Sequence, residues 1–335
     1  MYKKFLLVSV IVVLTAGIFP VVAEAVEEVP WGHLVDSGFD ADKKPVDVGK
    51  PPKDDPAPPP PQYTPWGVGR IDADLVWSSS TGEGVKVAVL DTGIDNDHPD
   101  LDVAGGVNYV PQGRKLDTKK WDDDNGHGTH VAGTIAALNN DQGVVGVAPG
   151  VNIYAVKVLD RTGSGSLTWI INGLNWAIAN DMDIVSMSLS TDYDYADFRN
   201  AIQSVYDAGI VIIAAAGNDG TVVDYPAAYS TVVAVSATDS GDNIPYWSNR
   251  GSQIEVAAPG VSIPSTWNDG GYKTISGTSM ACPHVTGVAA LVIGISASWT
   301  VEGIRSALHD AEDVNMDGWD MYYGHGIVDA VAATT

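Results

Sequence analysis

Between residues 85 and 239 the chain alternates short apolar runs with longer stretches of helical spacing. Five runs read as strands: VKVAVLD (85–91), NIYAVKVLD (152–160), DIVSMSLS (183–190), GIVIIAAAGN (209–218) and STVVAVSATD (230–239). Their β-branched residues occupy successive positions, as in strands buried on both faces. The stretches HGTHVAGTIAAL, SLTWIINGLNWAIAND and DFRNAIQSVYDAG between them have helical spacing. In the second, Ile170, Leu174, Ala177 and Ile178 share a face and Ser166 is placed as N-cap; Gly209 is placed to end the third. A further apolar helix opens at SGTSMACPH and runs to Ile295. Such alternation predicts an α/β fold with a parallel sheet covered by helices on both faces.

The beginning of the chain is patterned differently. Lys3 and Lys4 precede the apolar run FLLVSVIVVLTAGIF, and Ala23-Glu24-Ala25 offers an A-x-A cleavage site. Residues 1–25 therefore read as a secretory signal peptide, which predicts a protein released outside the cell. Residues 26–61 are polar and then proline-rich, ending in KPPKDDPAPPPPQYTP, and read as a short pro-segment and extended linker. The folded domain is expected from Gln62 to Thr335. No later segment is apolar for the roughly 18 residues a membrane span needs, so no membrane association is expected after signal cleavage.

Composition narrows the function. The net charge is −24, and the 12 bases and 33 acids after residue 61 place most of it, −21, on the folded part. A nucleic-acid partner is excluded on charge, because a polyanion would be repelled. Asp outnumbers Glu 35 to 7. Short carboxylates crowded in loops suit Ca²⁺, and acidity alone would also fit a non-enzymatic calcium-binding protein. The single cysteine, Cys282, rules out an intramolecular disulfide.

In parallel sheets functional groups gather beyond the carboxyl ends of the strands. There, VAVLDTGID ends an apolar run on Asp91, a carboxylate that is costly to bury without a partner. NGHGTHVAGT sets His127 between two glycines at a helix start, and AAAGNDG ends a strand on Asn218. SGTSMACPH places Ser279 at the opening of the apolar helix. At about 100° per residue, Cys282 and His284 lie roughly 200° apart around that helix, and Ser279 and His284 roughly 140°. His284 is thus poorly placed as a local base and reads as structural. Cys282 reads as a small core residue, close enough to Ser279 that inhibition by a mercurial is expected.

These motifs, VAVLDTGID, GHGTHVAGT, AAAGNDG and GTSMACPHVTGVAAL, with PWGV and GVVGVAPG, resemble those of subtilisin-type serine proteases over residues 62–335. The resemblance implies a three-layer α/β/α fold with a mainly parallel central sheet, and a secreted, monomeric endopeptidase acting on polypeptides. It implies an Asp91–His127–Ser279 triad, with the Asn218 amide and the Ser279 N–H meeting the oxyanion. Substrate would pair beside Ser188, Leu189 and Ser190. Many relatives carry two glycines where this chain has Ser190 and Thr191, and the loop after Asn218 is short; both bear on side-chain preference. The resemblance also implies a structural Ca²⁺ held by Gln62, Asp100, Leu138, Asn140, Gln142 and Val144. Two further acidic clusters are candidate cation sites, Asp122, Asp123 and Asp124, and Asp313, Asn315 and Asp317. The last three are spaced like the start of an EF-hand loop, but its twelfth position is Gly324. The 36 residues between the leader and Gln62 are too few for the prodomain usual in a secreted zymogen of this kind.

Overall fold

A computed structural model describes residues 12–13, 60–296, 298–311 and 318–335. The signal peptide (apart from two residues), nearly all of the pro-segment, and Asp313, Asn315 and Asp317 lie outside the described residues. Seven strands form the central sheet: β1 (Lys86–Asp91), β2 (Val103–Asn108), β3 (Asn152–Lys157), β4 (Ile184–Met187), β5 (Val211–Ala215), β6 (Val233–Thr238) and β7 (Ile254–Pro259). Their spatial order is β2-β3-β1-β4-β5-β6-β7, and every pair is parallel. The chain leaves β1 towards one edge and returns past it to build the other. The strand order therefore reverses at β1, which is where open α/β sheets form their functional crevice.

Alternate residues of each strand feed two separate cores. Val87 and Val89 of β1 join Ile153, Ile184, Val211 and Val235 under α3 (His127–Ala136) and α6 (Thr278–Ile295). Ala88 and Leu90 join Val156, Val185, Met187 and Ile212 under α4 (Leu167–Ala179) and α5 (Ala196–Asp207). This is the three-layer arrangement expected from the sequence, with strands apolar on both faces because both faces are covered. In α4, Ile170, Leu174 and Ala177 are buried and Ile178 is half-buried. Ser166 caps that helix by accepting from the Trp169 N–H. Gly209 follows the end of α5 with φ +81°, a left-handed value suited to glycine.

Several elements were not anticipated. The edge strand β2 has the sequence VAGGVN and is half-exposed, so it carries neither a β-branched run nor a clean alternation. The hairpin of β8 (Ile263–Thr266) and β9 (Tyr272–Ile275), strand β7, and the short helices α1 (Trp66–Arg70), α2 (Ala73–Val76), α7 (Val301–Leu308) and α8 (Ala330–Ala333) also lay outside the sequence reading.

The last part of the chain is fastened by a charged cluster. Glu255 of β7 is buried and accepts from Arg305 Nε at 3.0 Å and Nη2 at 2.5 Å, both on α7, and pairs with His309 Nε2 at 2.9 Å. Burial alone would raise the Glu255 carboxyl, but the bonds and charges of His309 and Arg305 outweigh it and hold it below its ordinary value. A depressed carboxyl stabilises the fold above its unfolded pKa and ceases to do so as pH falls through its folded value. Glu255→Gln, made in a Ser279→Ala background to prevent autolysis, should therefore lower stability at pH 7 by about 1–3 kcal/mol, or about 2–6 °C in Tm. In thermal melts the difference should be complete above pH 4.5 and vanish in stronger acid.

Candidate active site

The crevice at the end of β1 is organised by a carboxylate. Asp91 has no solvent exposure; its Oδ1 accepts from the Thr92 N–H at 2.7 Å, and the ring Nδ1 of His127 lies 2.8 and 3.0 Å from its two oxygens. His127 opens α3, whose first turn lies directly on the strand end. That approach requires Gly128, because a Cβ there would collide with the Gly93 carbonyl. Burial would lower the His127 pKa, but the charge and hydrogen bond of Asp91, with Asp123 adding, raise it above the ordinary value.

A helix start leaves backbone N–H groups without partners. Here Asp123 supplies them. Its carboxylate accepts from the N–H groups of Asn125, Gly126 and Thr129 and from the hydroxyls of Thr92 and Thr129, at 2.6–3.0 Å. Thr92 Oγ1 in turn accepts from the Gly128 N–H at 2.9 Å. The acidic stretch before His127 is thus largely a helix-capping device. Asp124 pairs with the buried Lys157 Nζ at 2.6 Å, Lys157 also donates to the Thr92 carbonyl, and Asp122 accepts from the Asn96 N–H at 3.4 Å. Of the three, Asp123 has both carboxylate oxygens in hydrogen bonds to the chain, while Asp122 and Asp124 each bond through Oδ1. Among the described residues no three His, Cys, Asp or Glu side chains group as a metal site.

The third element is the start of α6. Ser279 is buried; its hydroxyl donates to the Ser188 carbonyl at 3.2 Å, and the Ser188 hydroxyl donates to the Ser279 carbonyl at 2.8 Å. This reciprocal pair ties α6 to the end of β4. The buried Nε2 of His127 has no hydrogen-bond partner among the described residues, so the nucleophile candidate faces Ser188 and not the histidine in this state. Asn218 follows β5, and its Oδ1 accepts from Thr278 N at 2.8 Å and Thr278 Oγ1 at 2.9 Å. Its Nδ2 and the Ser279 N border one small space. A Cβ placed on Gly277 would stand 3.7 Å from the first and 3.6 Å from the second.

Ser188, Leu189 and Ser190 leave β4 beside this space. Leu189 is buried in the core. Ser190 Oγ donates to Asp224 Oδ2 at 3.0 Å. Thr92 and Asp224 carry no role in the sequence motifs, because each acts through residues far along the chain, Asp123 and Gly128 for the first and Ser190 for the second. His130 was likewise missed. It is buried on α3, donates from Nε2 to the Ile263 and Lys273 carbonyls at 3.0 and 3.1 Å, and burial lowers its pKa to about 3, so it stays neutral and pins the β8–β9 hairpin.

Two residues near Ser279 are structural, as expected. His284 Nδ1 donates to the Met280 carbonyl at 2.8 Å, and burial lowers its pKa to about 4. Cys282 is wholly buried against the Ile213 carbonyl, and burial pushes its thiol up to about 11. The buried sulfur agrees with the core position that the sequence gives this residue.

The six residues considered for calcium do come together. Asp100 is buried; Oδ2 accepts from Val144 N at 3.0 Å and Tyr272 Oη at 3.1 Å, while the buried Oδ1 has no hydrogen-bond partner among the described residues. Burial pushes its carboxyl up to about 6 against bonds from Val144, Tyr272 and Asn140. Gln62 Nε2 donates to the Leu138 carbonyl at 2.6 Å and the Val144 carbonyl at 3.4 Å, and Asn140 Oδ1 accepts from Gln142 N at 3.2 Å. An orphaned buried carboxylate oxygen beside amide and carbonyl oxygens fits a hard divalent cation.

Residues 82–326 match the sequence profile of the Subtilase family. Over 278 residues the chain is 45% identical to Subtilisin E of Bacillus subtilis (strain 168), covering 81% of this chain and 71% of that one. It is 46% identical over 278 residues to a subtilisin of Bacillus pumilus, covering 81% and 99%. It is 45% identical over 275 residues to Subtilisin Savinase of Lederbergia lenta, covering 82% and 99%. With the parallel sheet and this crevice, the matches make the chain a member of the subtilase family and a subtilisin-type serine endopeptidase.

Proposed function

We propose that Ser279 is the nucleophile, His127 its base and then its acid, and Asp91 the group that fixes the imidazole. The observation that carries this reading is the buried Asp91–His127 pair, which holds Nδ1 and leaves Nε2 without a hydrogen-bond partner among the described residues, on a helix that packs against α6. A polypeptide lies extended beside Ser188–Ser190, adding a strand to that edge. Ser279 Oγ turns from the Ser188 carbonyl towards Nε2 and attacks the scissile carbonyl, and its proton passes to Nε2. The Asn218 amide and the Ser279 N–H donate to the oxyanion. The C–N bond then breaks, His127 protonates the departing amine, and a water deprotonated by His127 hydrolyses the acyl ester.

A bound Ca²⁺ would neutralise Asp100 and tie the loop 138–144 to the segment at Gln62. Asp100, the side chains of Gln62 and Asn140, and the carbonyls of Leu138, Gln142 and Val144 would hold it. Release outside the cell and trimming near Gln62 complete the reading. Residues 60–63 support it, since Pro60 O, Gln62 N and Tyr63 N bond the backbone of residues 141–143 at 2.7–3.1 Å, so a mature chain retains this segment. A monomeric enzyme acting on polypeptides is part of the same reading.

Casein hydrolysis should fall by about 10⁶ in Ser279→Ala and kcat by about 10²–10³ in Asn218→Ala, the sizes established for the corresponding changes in subtilisins. Because the raised His127 pKa keeps the ring protonated to higher pH, the acid limb of kcat/KM should lie above 6.5. Asp91→Asn should move that limb down and lower kcat by about 10⁴. Full activity in Ser279→Ala would overturn the mechanism. A Ca²⁺ concentration about 100 times Kd should add about 2.7 kcal/mol to the stability of the Ser279→Ala protein. Differential scanning calorimetry should show this gain reversed by a chelator, absent in Asp100→Ala and kept in Asp124→Asn.

A further inference from the structure

One carboxylate beside the substrate edge takes no part in the chemistry above. Asp224 is nine-tenths buried where the chain returns after Asn218. Its N–H donates to the Ala216 carbonyl at 3.0 Å, and its neighbour Tyr225 exchanges two backbone hydrogen bonds with Thr191 at 2.8 and 2.9 Å. Asp224 is thereby fixed between the end of β5 and the segment 188–191. Its carboxylate lies directly on Gly217, where φ is +106° and a Cβ would collide with Oδ2. The next residue is Asn218.

The charge at this position lacks a counterpart. Among the described residues, Ser190 Oγ is the one hydrogen-bond donor to the carboxylate, and no Lys, Arg or His lies within ion-pair distance. Burial pushes the carboxyl up to about 6; Ser190 opposes the shift, while the charges of Asp219 and Asp192 add to it. The contrast with Glu255, which has Arg305 and His309, and with Asp123, which has five donors, is direct. A buried carboxylate with one neutral donor and two like charges nearby is matched only when a cation enters.

We infer that Asp224 forms the floor of the pocket for the substrate residue on the acyl side of the cut bond, and selects lysine or arginine there. The inference rests on the serine-protease reading above. With that residue's carbonyl between Asn218 and the Ser279 N–H, and its backbone beside 188–190, its side chain enters between the two segments that Asp224 joins. An ammonium or guanidinium supplies the donors the carboxylate lacks, and glutamate is repelled. Ser190, standing where many relatives have glycine, orients the carboxylate through its hydroxyl.

The test uses five chromogenic peptides that differ only in this residue: Lys, Arg, Gln, Leu and Glu. For the wild-type enzyme, kcat/KM for Lys and Arg should exceed that for Gln by about 10–100-fold and that for Glu by more. Asp224→Asn should bring the Lys-to-Gln ratio close to one, and Asp224→Glu should retain part of it. Equal wild-type rates for Lys and Gln would overturn the inference whatever the variants do. So would Asn and Asp enzymes that differ by one common factor on all five peptides. Cleavage that persists in Ser279→Ala, or no cleavage of any peptide, would instead remove the serine-protease reading and this inference with it.

Discussion

The contact on which the rest of the site depends is the cap that Asn218 places on the start of α6. That helix is buried along almost its whole length, so its first N–H groups cannot turn to bulk water. Asn218 Oδ1 takes both the N–H and the hydroxyl of Thr278, and the Gly217 N–H closes the ring on Thr278 Oγ1 at 3.1 Å. An amide whose oxygen is committed has its nitrogen aimed by the same bonds. One cap therefore joins β5 to α6, fixes the height of Ser279, and directs the Asn218 Nδ2 beside the Ser279 N–H. Stability and the proposed oxyanion site draw on the same atoms, so neither can be altered without the other.

The same economy governs the charges. The folded part carries almost three acids for each base, and the two carboxylates it buries around His127 are met by backbone N–H groups at element ends. Asp91 receives the Thr92 N–H as well as His127, and Asp123 receives three N–H groups at the start of α3. The one buried lysine nearby, Lys157, bonds the Thr92 carbonyl and Asp124 and leaves Asp91 to His127. Rigid neutral donors hold Asp91 in place without neutralising it, which preserves the field that raises His127.

Much of this was legible in sequence because the determining signals were contiguous. Strands β1, β3, β4, β5 and β6 carry runs of apolar residues since both their faces are covered, and the ends of β1 and β5 deliver Asp91 and Asn218 directly. The edge strand β2, built of VAGGVN, has one open side and two glycines, so neither periodicity nor propensity marks it. The acidic run before His127 illustrates a different limit. Three consecutive aspartates look alike in a sequence, yet one caps a helix, one pairs with Lys157 and one meets a backbone N–H of the β1–β2 loop. Asp224 was invisible for the same reason. Its character comes from Ser190 and Gly217, residues 34 and 7 positions away, and from the lack of an ion-pair partner among the described residues.

That position also separates two kinds of electrostatics that an acidic protease can use. The overall charge of the folded part draws cationic polypeptides towards the surface, but beyond about 8–10 Å such attraction is screened at physiological salt. It changes how often a basic peptide arrives and cannot decide which of its bonds lies over Ser279. Asp224 acts at contact range in a site from which water is largely displaced, where the screening is weak and the partner must be held in one register. Salt should therefore weaken the encounter with basic substrates far more than it alters the choice among residues at the cut. A preference that survived high salt while the overall rate on basic peptides declined would assign selection to the buried carboxylate and capture to the surface.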